Sequence, residues 1–395
     1  MNPSTRIKDF KTAAVHEMLA RGQKEQASGK DVIYLVQGEP DFSTPSIIHE
    51  EILKAAQAGN THYTPPSGLR ALRQRLAEYV RITNNIPVTD GDEIIVTTGA
   101  TQGLFIALLA LVEDGDNVLL LEPGYISTYS KMVKIAGGSV KIIACPFDEN
   151  RYPLDVKTIE KEINTNTKAI IINTPVNPTG TVYSKPELEA LAELVLRYEI
   201  IVISDEAYET LIFDPAEHIS IASIDHEIFK RTITIFTCSK TYAMTGWRIG
   251  YNVAAPELVK WMTAIQTVSA RCAAAPVQYG LMAALDGKAK SEVENMVAEY
   301  ADRRSLVIDE LSRFPNIVVP KIEGAFYAFP GFGNRFNSSY ELALRLLEEQ
   351  QVITTPGSYY GVTGENHLRL SFSYNKARVA EGLNRMRIFW DKYAS

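Results

Sequence analysis

The stretch IIVISDEAY (Ile200–Tyr208) is a run of β-branched apolar residues that ends in polar side chains. Continuous apolar strands that alternate with helical patterns are typical of βα units around a mainly parallel, buried sheet. The chain is therefore predicted to be α/β, with a large domain whose parallel sheet is flanked by helices. Comparable apolar runs recur between residues 90 and 255: IIVTT (Ile94–Thr98), NVLLLEP (Asn117–Pro123), SVKIIAC (Ser139–Cys145), KAIIINTP (Lys168–Pro175) and RTITIFTCS (Arg231–Ser239).

The pattern changes after Ala255. A long helical stretch from Ser291 is followed by short alternating strands such as HLRLSFS (His367–Ser373), which predicts a smaller α+β domain. The first 45 residues are too few to form a domain alone, so we expect them to pack on this C-terminal unit and make it discontinuous. The predicted bounds are 1–45 for the N-terminal segment, 46–290 for the large domain and 291–395 for the small domain.

Composition excludes several classes of function. The 395 residues carry 40 Lys and Arg against 47 Asp and Glu, a net charge of −7, so no bulk positive field would attract nucleic acid or an anionic membrane. The longest apolar run, Gly103–Val112, is far shorter than the roughly 20 residues that a membrane span needs. The N-terminal residues lack the apolar core of a signal peptide, so a cytoplasmic location is expected.

Common cofactor and metal motifs do not occur. The sequence lacks the GxGxxG fingerprint of dinucleotide sites, the GxxxxGK[ST] motif of P-loops and the HExxH motif of zinc enzymes. Three cysteines, Cys145, Cys238 and Cys272, show no CxxC spacing, so reduced thiols are expected rather than disulfides or a zinc site. No metal site is predicted.

The most informative segment is SKTYAMTGWRIG (Ser239–Gly250), which directly follows a predicted buried strand. A lysine at the carboxyl end of such a strand, Lys240, can be desolvated, which lowers its pKa and makes it a nucleophile that forms imines. Arg248 follows eight residues later and offers a planar group of donors suited to phosphate. A lone lysine near a strand end is usually solvated, so it is the pairing with Arg248 that indicates a site.

Two further strand ends carry compatible side chains. IIVISDEAY places Asp205 at one strand end with Tyr208 just beyond it, and INTPVNPTG places Asn177 at another. A carboxylate there could pair with a protonated pyridine nitrogen, and an amide and a phenol could bond to a ring oxygen. Taken singly, Asp205 could equally be a helix cap, Asn177 a turn residue and Tyr208 a core residue.

A third feature is a strand, glycine and helix connection at Gly99-Ala100-Thr101-Gln102. The first backbone N–H groups of a helix are unpaired, and they attract an anion together with the positive end of the helix dipole. Such a turn is common in α/β folds and gains meaning here only through Arg248. Together these features indicate a site for a phosphorylated pyridine cofactor.

On these residues the chain resembles a fold-type I pyridoxal-phosphate-dependent aminotransferase of the aspartate/aromatic aminotransferase family, class I/II. The resemblance covers nearly the whole chain, and its motifs occur in the family's order. They are QGEPDF (Gln37–Phe42), HYTPPSGLRALR (His62–Arg73), GATQ (Gly99–Gln102), EPGY (Glu122–Tyr125), NPTG (Asn177–Gly180), SDEAY (Ser204–Tyr208), SK with GWRIG (Ser239–Gly250) and HLRLSF (His367–Phe372).

The resemblance implies a role for each matching residue. Lys240 would hold pyridoxal 5′-phosphate as a Schiff base, Asp205 would pair with its ring nitrogen, and Tyr208 would complete the catalytic set. Substrate would be bound by Gly38, Tyr125, Asn177 and Arg369, with Arg369 gripping the α-carboxylate. The cofactor-binding residues would be Ala100, Thr101, Gln102, Tyr125, Asn177, Asp205, Tyr208, Thr237, Lys240 and Arg248, with Tyr63 supplied by the partner in a homodimer with shared active sites.

The activity implied is the transfer of an amino group between an L-amino acid and a 2-oxo acid by a ping-pong mechanism, with 2-oxoglutarate as the expected acceptor. A β-lyase or related eliminase would share nearly every cofactor contact, because the reaction type depends on what the site does with the carbanion. A non-catalytic cofactor-binding sensor is a weaker alternative, because too few residues precede QGEPDF for a separate DNA-binding module.

The sequence leaves the amino donor open. In the aspartate-selective bacterial branch that the chain otherwise resembles, a lysine in the phosphate-binding turn reads the second carboxylate, and this chain has Thr101 there. Arg271 could read that carboxylate from the partner subunit or be an ordinary structural arginine. Aspartate, aromatic and other apolar amino acids therefore all remain candidates.

Overall fold

This computed structural model describes residues 4–8, 10, 14–148 and 150–394. The strands are β1 (Ile33–Tyr34), β2 (Ile94–Thr97), β3 (Asn117–Glu122), β4 (Ser139–Ala144), β5 (Thr167–Asn173), β6 (Ile201–Asp205), β7 (Thr232–Thr237), β8 (Gly250–Val253), β9 (Tyr327–Ala328), β10 (Val352–Ile353), β11 (Thr355–Pro356) and β12 (Leu368–Ser371).

The helices alternate with these strands along the first two thirds of the chain and dominate the last third. They are α1 (Ala14–Ala27), α2 (Ser46–Gln57), α3 (Arg70–Thr83), α4 (Ala100–Leu111), α5 (Ile126–Ala136), α6 (Val156–Glu162), α7 (Lys185–Tyr198), α8 (His226–Lys230), α9 (Cys238–Thr241), α10 (Pro256–Ser269), α11 (Ala275–Ala283), α12 (Lys290–Leu311), α13 (Ser339–Gln350) and α14 (Lys376–Asp391).

A seven-stranded sheet forms the centre of the molecule, in the order β2-β8-β7-β6-β5-β3-β4. Five neighbouring strands, β7, β6, β5, β3 and β4, run parallel to one another. The strand β8 is antiparallel to both of its neighbours, β2 and β7. Every residue of β3 and β7 is buried, because helices cover both faces of the sheet. The predicted fold class, α/β with a mainly parallel sheet flanked by helices, is confirmed.

The register of the sheet brings polar residues together at one edge. Asn173 at the end of β5 pairs with Asp205 at the end of β6, and Asp205 pairs in turn with Ile235 of β7. Thr237, the last residue of β7, then caps the short helix α9. Since parallel strands end at the same edge, the carboxyl ends of β5, β6 and β7 together form the floor of a site.

A second group of strands lies apart from the central sheet. β11, β12 and β9 form a three-stranded antiparallel sheet, and β1 pairs in parallel with β10 through Ile33 and Val352. One hydrophobic cluster joins this group to α12, α13 and α14 and includes β1. The N-terminal segment thus pairs with a C-terminal strand, while the domain bounds given above stay a prediction.

Three further observations bear on the sequence predictions. No helix in the described ranges is both long and apolar enough to cross a membrane. Cys145, Cys238 and Cys272 are all free thiols. Within the described residues, no group of three or more His, Cys, Asp or Glu side chains could hold a metal ion.

Candidate active site

A cavity of about 560 Å³ opens at the carboxyl ends of β5, β6 and β7. Most residues singled out in the sequence line it: Gly38, Ala100, Thr101, Tyr125, Asn177, Asp205, Tyr208, Thr237, Lys240, Arg248 and Arg369. Two do not. Gln102 turns its side-chain oxygen toward the backbone N–H of Thr98 (3.0 Å), and Tyr63 is 80% exposed on the surface.

Lys240 lies in α9, directly after the central strand β7. Its ammonium group donates a hydrogen bond to the backbone oxygen of Gly38, and its Nζ lies 5.7 Å from the ring centre of Phe326. Burial lowers the pKa of Lys240 to about 8, because the charged form loses its hydration there. A substantial fraction of this amine is therefore neutral, and nucleophilic, near neutral pH.

Asp205 ends β6 and accepts two hydrogen bonds. The Tyr129 hydroxyl donates to its Oδ2 (2.7 Å) and the Ala207 backbone N–H to its Oδ1 (3.2 Å). Burial raises the pKa of Asp205, and these two bonds oppose the rise because they favour the carboxylate. Tyr129 was not predicted from the sequence, although it lies in the first turn of α5, four residues after the N-cap residue Tyr125.

Arg369 is only 3% exposed, yet no carboxylate of the described residues pairs with it. Its Nη1 donates to Oδ1 of Asn177 (3.2 Å), its Nη2 to the backbone oxygen of Val36 (2.6 Å), and its buried Nε has no protein partner. Buried charges are normally paired, so this guanidinium is suited to bind an anionic ligand in the cavity. Asn177 lies four residues beyond the end of β5 rather than at it, because a turn intervenes.

Two tyrosines lie against Arg369, and one of them connects it to Tyr208. The guanidinium carbon lies 4.4 Å from the ring centre of Tyr327 and 5.4 Å from that of Tyr360. The Tyr327 hydroxyl bonds to the Tyr208 hydroxyl (2.9 Å). Tyr327 and Tyr360 were not predicted from the sequence, since they come from β9 and a turn more than a hundred residues beyond Tyr208.

A cradle for an anion lies between Gly99 and Arg248. Gly99 has a positive φ of 80° and caps α4, whose first two residues, Ala100 and Thr101, line the cavity. The unpaired N–H groups at a helix N-terminus attract anions. A side chain at position 99 would bring its Cβ to 2.6 Å from Nη2 of Arg248. Glycine keeps a side chain out of the space between the helix N-terminus and the guanidinium, and these two groups supply the positive charge that attracts a phosphate.

The cavity is also lined by Leu19, Thr101, Tyr125, Met132 and Tyr359. Tyr125 is 39% exposed at the rim, in edge contact with Tyr129 (5.6 Å between ring centres). Glu39 also lines the cavity, and the lysine and arginines among the described lining residues are Lys240, Arg248 and Arg369. The cavity therefore combines an amine with a lowered pKa (Lys240), a buried carboxylate (Asp205), an anion cradle at Arg248 and a guanidinium without a carboxylate partner (Arg369).

Comparisons with known proteins agree with this chemistry. The family model described as aminotransferase class I and II matches residues 30–386. An aspartate aminotransferase of Pyrococcus abyssi is 40% identical over 91% of this chain and 92% of its own length. An aromatic-amino-acid aminotransferase of Thermococcus litoralis is 38% identical over 90% of both chains.

A solved structure gives the same answer. The aspartate aminotransferase of Thermus thermophilus with maleate superposes with a TM-score of 0.92 at 32% identity, covering 98% of this chain and 99% of that one. Members of this family use pyridoxal 5′-phosphate, and the resemblance inferred from the motifs is confirmed. The chain belongs to the class I and II aminotransferase family of fold type I.

Proposed function

We propose that the protein moves an amino group between an L-amino acid and a 2-oxo acid in two half-reactions of a ping-pong cycle, with 2-oxoglutarate as acceptor. The observation that carries this proposal is the neutralisable Lys240 amine in one cavity with Asp205, the Arg248 cradle and the unpaired Arg369. An amine that can form an imine and a separate cation for a carboxylate are the two requirements for an amino acid substrate.

The residues fit pyridoxal 5′-phosphate at each of its polar groups. The Gly99 turn, Arg248 and Thr237 would hold the phosphate, Asp205 the pyridine nitrogen, and Asn177 with Tyr208 the ring oxygen. Tyr125 would cover the ring, and Lys240 would bind the aldehyde carbon as a Schiff base. When bound, this cofactor supplies an electron sink that stabilises a carbanion at the substrate's α-carbon.

The protein's own groups would then divide the work. Arg369 would bind the α-carboxylate with the N–H groups that make no bond to the protein, including its buried Nε–H, and Asn177 fixes the guanidinium through their 3.2 Å hydrogen bond. Once the substrate amine has replaced Lys240, the freed Nζ would take the α-proton, since an amine with a pKa of about 8 is close to the operating pH. Burial of Asp205 strengthens its attraction for a protonated ring nitrogen.

A homodimer would complete the site. Tyr63 does not line the cavity of its own chain and is 80% exposed, which supports the proposal that it reaches the phosphate of a partner subunit. The guanidinium of Arg271 lies 5.5 Å from the Tyr63 ring centre, so it would approach the partner's site with Tyr63. A cytoplasmic location stays a prediction from the sequence.

The side chains that line the cavity bear on the identity of the donor. Tyr125, Met132, Leu19 and Tyr359 favour an aromatic or other apolar side chain, and Thr101 provides no charge for a second carboxylate. We propose that a single chain suffices to bind neutral donors. An acidic donor would depend on Arg271 of the partner subunit.

An absorption spectrum tests the function directly. Purified protein with the cofactor should show the visible band of a lysine-linked pyridoxal, and single amino acids added without oxo acid should convert it to the amine form. Release of pyruvate and ammonia from a β-substituted amino acid, without an oxo acid, would instead favour the β-lyase. A band that no amino acid converts would favour the sensor.

Two variants test the assigned roles. Lys240→Ala should abolish the covalent band, and Asp205→Ala should retain some cofactor but lose turnover. Lys230→Ala is a matched control, because that exposed lysine pairs with Glu227 on the surface. Wild-type steady-state turnover by either site variant would refute its role.

A further inference from the structure

Tyr327 touches more of the candidate site than any role assigned above explains. It lies in β9, which pairs with β12 next to Arg369, and it is 1% exposed. Its hydroxyl bonds to the hydroxyl of Tyr208 at 2.9 Å, while its ring supports the guanidinium of Arg369 at 4.4 Å. One side chain thus joins the residue expected at the cofactor's ring oxygen to the residue expected at the substrate carboxylate.

The hydroxyl of Tyr327 also borders the segment that carries Gly38. A Cβ at position 38 would lie 2.6 Å from that hydroxyl, and the backbone oxygen of Gly38 accepts the hydrogen bond from Lys240. The same segment accepts a hydrogen bond from Arg369 at the backbone oxygen of Val36. Tyr327 is therefore packed among the lysine, the ring-oxygen contact and the carboxylate-binding arginine.

When the cofactor is bound, the hydrogen bond between the Tyr208 and Tyr327 hydroxyls can run in only one direction. Burial raises the pKa of Tyr208 and of Tyr327 above the ordinary value, so both stay protonated at neutral pH. If Tyr208 donates its only proton to a ring oxygen, its own oxygen can only accept, and Tyr327 must be the donor. A phenol that accepts a hydrogen bond is a stronger donor in turn, because such chains polarise one another.

We propose that Tyr327 is a positioning residue that acts in two directions: its hydroxyl strengthens the hydrogen bond from Tyr208 to the cofactor's ring oxygen, and its ring holds Arg369 for the substrate carboxylate. This inference rests on the proposed function. The two contacts of Tyr327 are chemically distinct, since its hydroxyl serves the cofactor side and its ring serves the carboxylate side. Neither contact requires Tyr327 to touch the reacting atoms.

Two substitutions separate the contacts. Tyr327→Phe removes the hydroxyl and keeps the ring, while Tyr327→Leu removes both. Tyr360→Phe is the matched control for the hydroxyl, because Tyr360 is similarly buried and also stacks on Arg369, at 5.4 Å, but its hydroxyl makes no bond to Tyr208. Thermal unfolding of each variant verifies that it is folded.

The first readout is the pH midpoint at which the lysine-linked cofactor changes colour. Hydrogen bonds to the ring oxygen favour the deprotonated, more negative form, so a weaker bond from Tyr208 raises the midpoint. Tyr327→Phe should raise the pH midpoint, as Tyr208→Phe should, but the shift should be smaller than in Tyr208→Phe. Tyr360→Phe should leave the midpoint unchanged. The double variant Tyr208→Phe/Tyr327→Phe should match Tyr208→Phe alone, since Tyr327 acts through Tyr208.

The second readout is the Kd of the unreactive carboxylates maleate and 3-phenylpropanoate. Tyr327→Phe should leave both Kd values within about twofold of the wild type, and Tyr327→Leu should raise them by about 3- to 30-fold, the strength of a buried cation–π contact. An unchanged midpoint in Tyr327→Phe, or an unchanged Kd in Tyr327→Leu, would overturn the inference alone. A wild-type protein without a lysine-linked band would overturn it together with the proposed function.

Discussion

The hydroxyl of Tyr129, on the helix α5, donates a 2.7 Å hydrogen bond to Oδ2 of Asp205 at the end of the central strand β6. This bond favours the carboxylate against the burial that raises its pKa. Tyr129→Phe should therefore make Asp205 easier to protonate and weaken its hold on a protonated ring nitrogen. We expect kcat to fall by about 10- to 100-fold, the value of a hydrogen bond to a charged group, and the Kd of the cofactor to rise.

Tyr300→Phe is the control for this experiment. Tyr300 is fully buried like Tyr129, but its hydroxyl has no hydrogen-bond partner in the described part of the chain, so its loss should leave kcat unchanged. If Tyr129→Phe and Tyr300→Phe behave alike, the bond from Tyr129 contributes nothing to the function of Asp205.

A second prediction concerns the pH at which the protein captures its cofactor. Only the neutral amine of Lys240 can attack an aldehyde, and burial lowers its pKa to about 8. The rate at which cofactor-free protein forms the visible band should rise about tenfold per pH unit below pH 8 and level off above it. Stopped-flow absorbance measures this rate, and a plateau reached only near the pKa of a free lysine would contradict the assigned environment.

Some residues of this site can be predicted from the sequence, and others cannot because their neighbours in the fold are distant along the chain. Asp205 and Lys240 are predictable because each is a chemically distinctive residue at or just after the end of a recognisable buried strand, and Arg248 follows Lys240 in the same segment. Tyr327 is not, because only the antiparallel pairing of β9 with β12 brings it to Arg369. The parallel sheet is likewise evident from its apolar runs, whereas the pairing of β1 with β10 joins two-residue strands that carry no pattern.

Local geometry accounts for the remaining differences. Gln102 was expected at the phosphate through its backbone, and its side chain is occupied by the N–H of Thr98. Asn177 was expected at a strand end, and β5 instead ends at Asn173, whose Oδ1 accepts the Asn177 N–H (2.7 Å). A turn of this kind is set by side-chain hydrogen bonds that no periodicity reports.

A third prediction concerns stability rather than activity. Burial raises the pKa of Glu209 to about 7, even though Asn84 donates a hydrogen bond to its Oε2. The folded protein therefore holds a proton that the unfolded chain loses near pH 4.5, so this contribution to stability is present below that pH and is lost as pH rises through 7. Glu209→Gln, which cannot ionise, should be more stable than the wild type at pH 8 by on the order of 1–3 kcal/mol.

Urea unfolding at pH 5 and pH 8 measures this difference, which should be small at the lower pH. Glu189→Gln is a suitable control, because Glu189 is exposed on α7 in a long contact with Lys185 (3.7 Å) and should alter stability little at either pH. A Glu209→Gln variant that is less stable than the wild type at pH 8 would show that the Glu209 charge is stabilised rather than tolerated.

The last prediction separates acidic from neutral donors. Arg271 is the cation that accompanies the exposed Tyr63, while the lysine and arginines that line the cavity, Lys240, Arg248 and Arg369, already have other roles. Arg271→Gln should lower kcat/KM for aspartate by about 10- to 100-fold, the cost of removing one partner of a charged hydrogen bond, and change kcat/KM for phenylalanine by less than about threefold. Tyr63→Phe keeps the ring that Arg271 stacks on and should not discriminate between the two donors. An equal loss of kcat/KM for both donors in Arg271→Gln would mean that Arg271 supports Tyr63 and does not bind the substrate. Wild-type turnover of phenylalanine but not of aspartate would likewise mean that Arg271 does not bind the substrate.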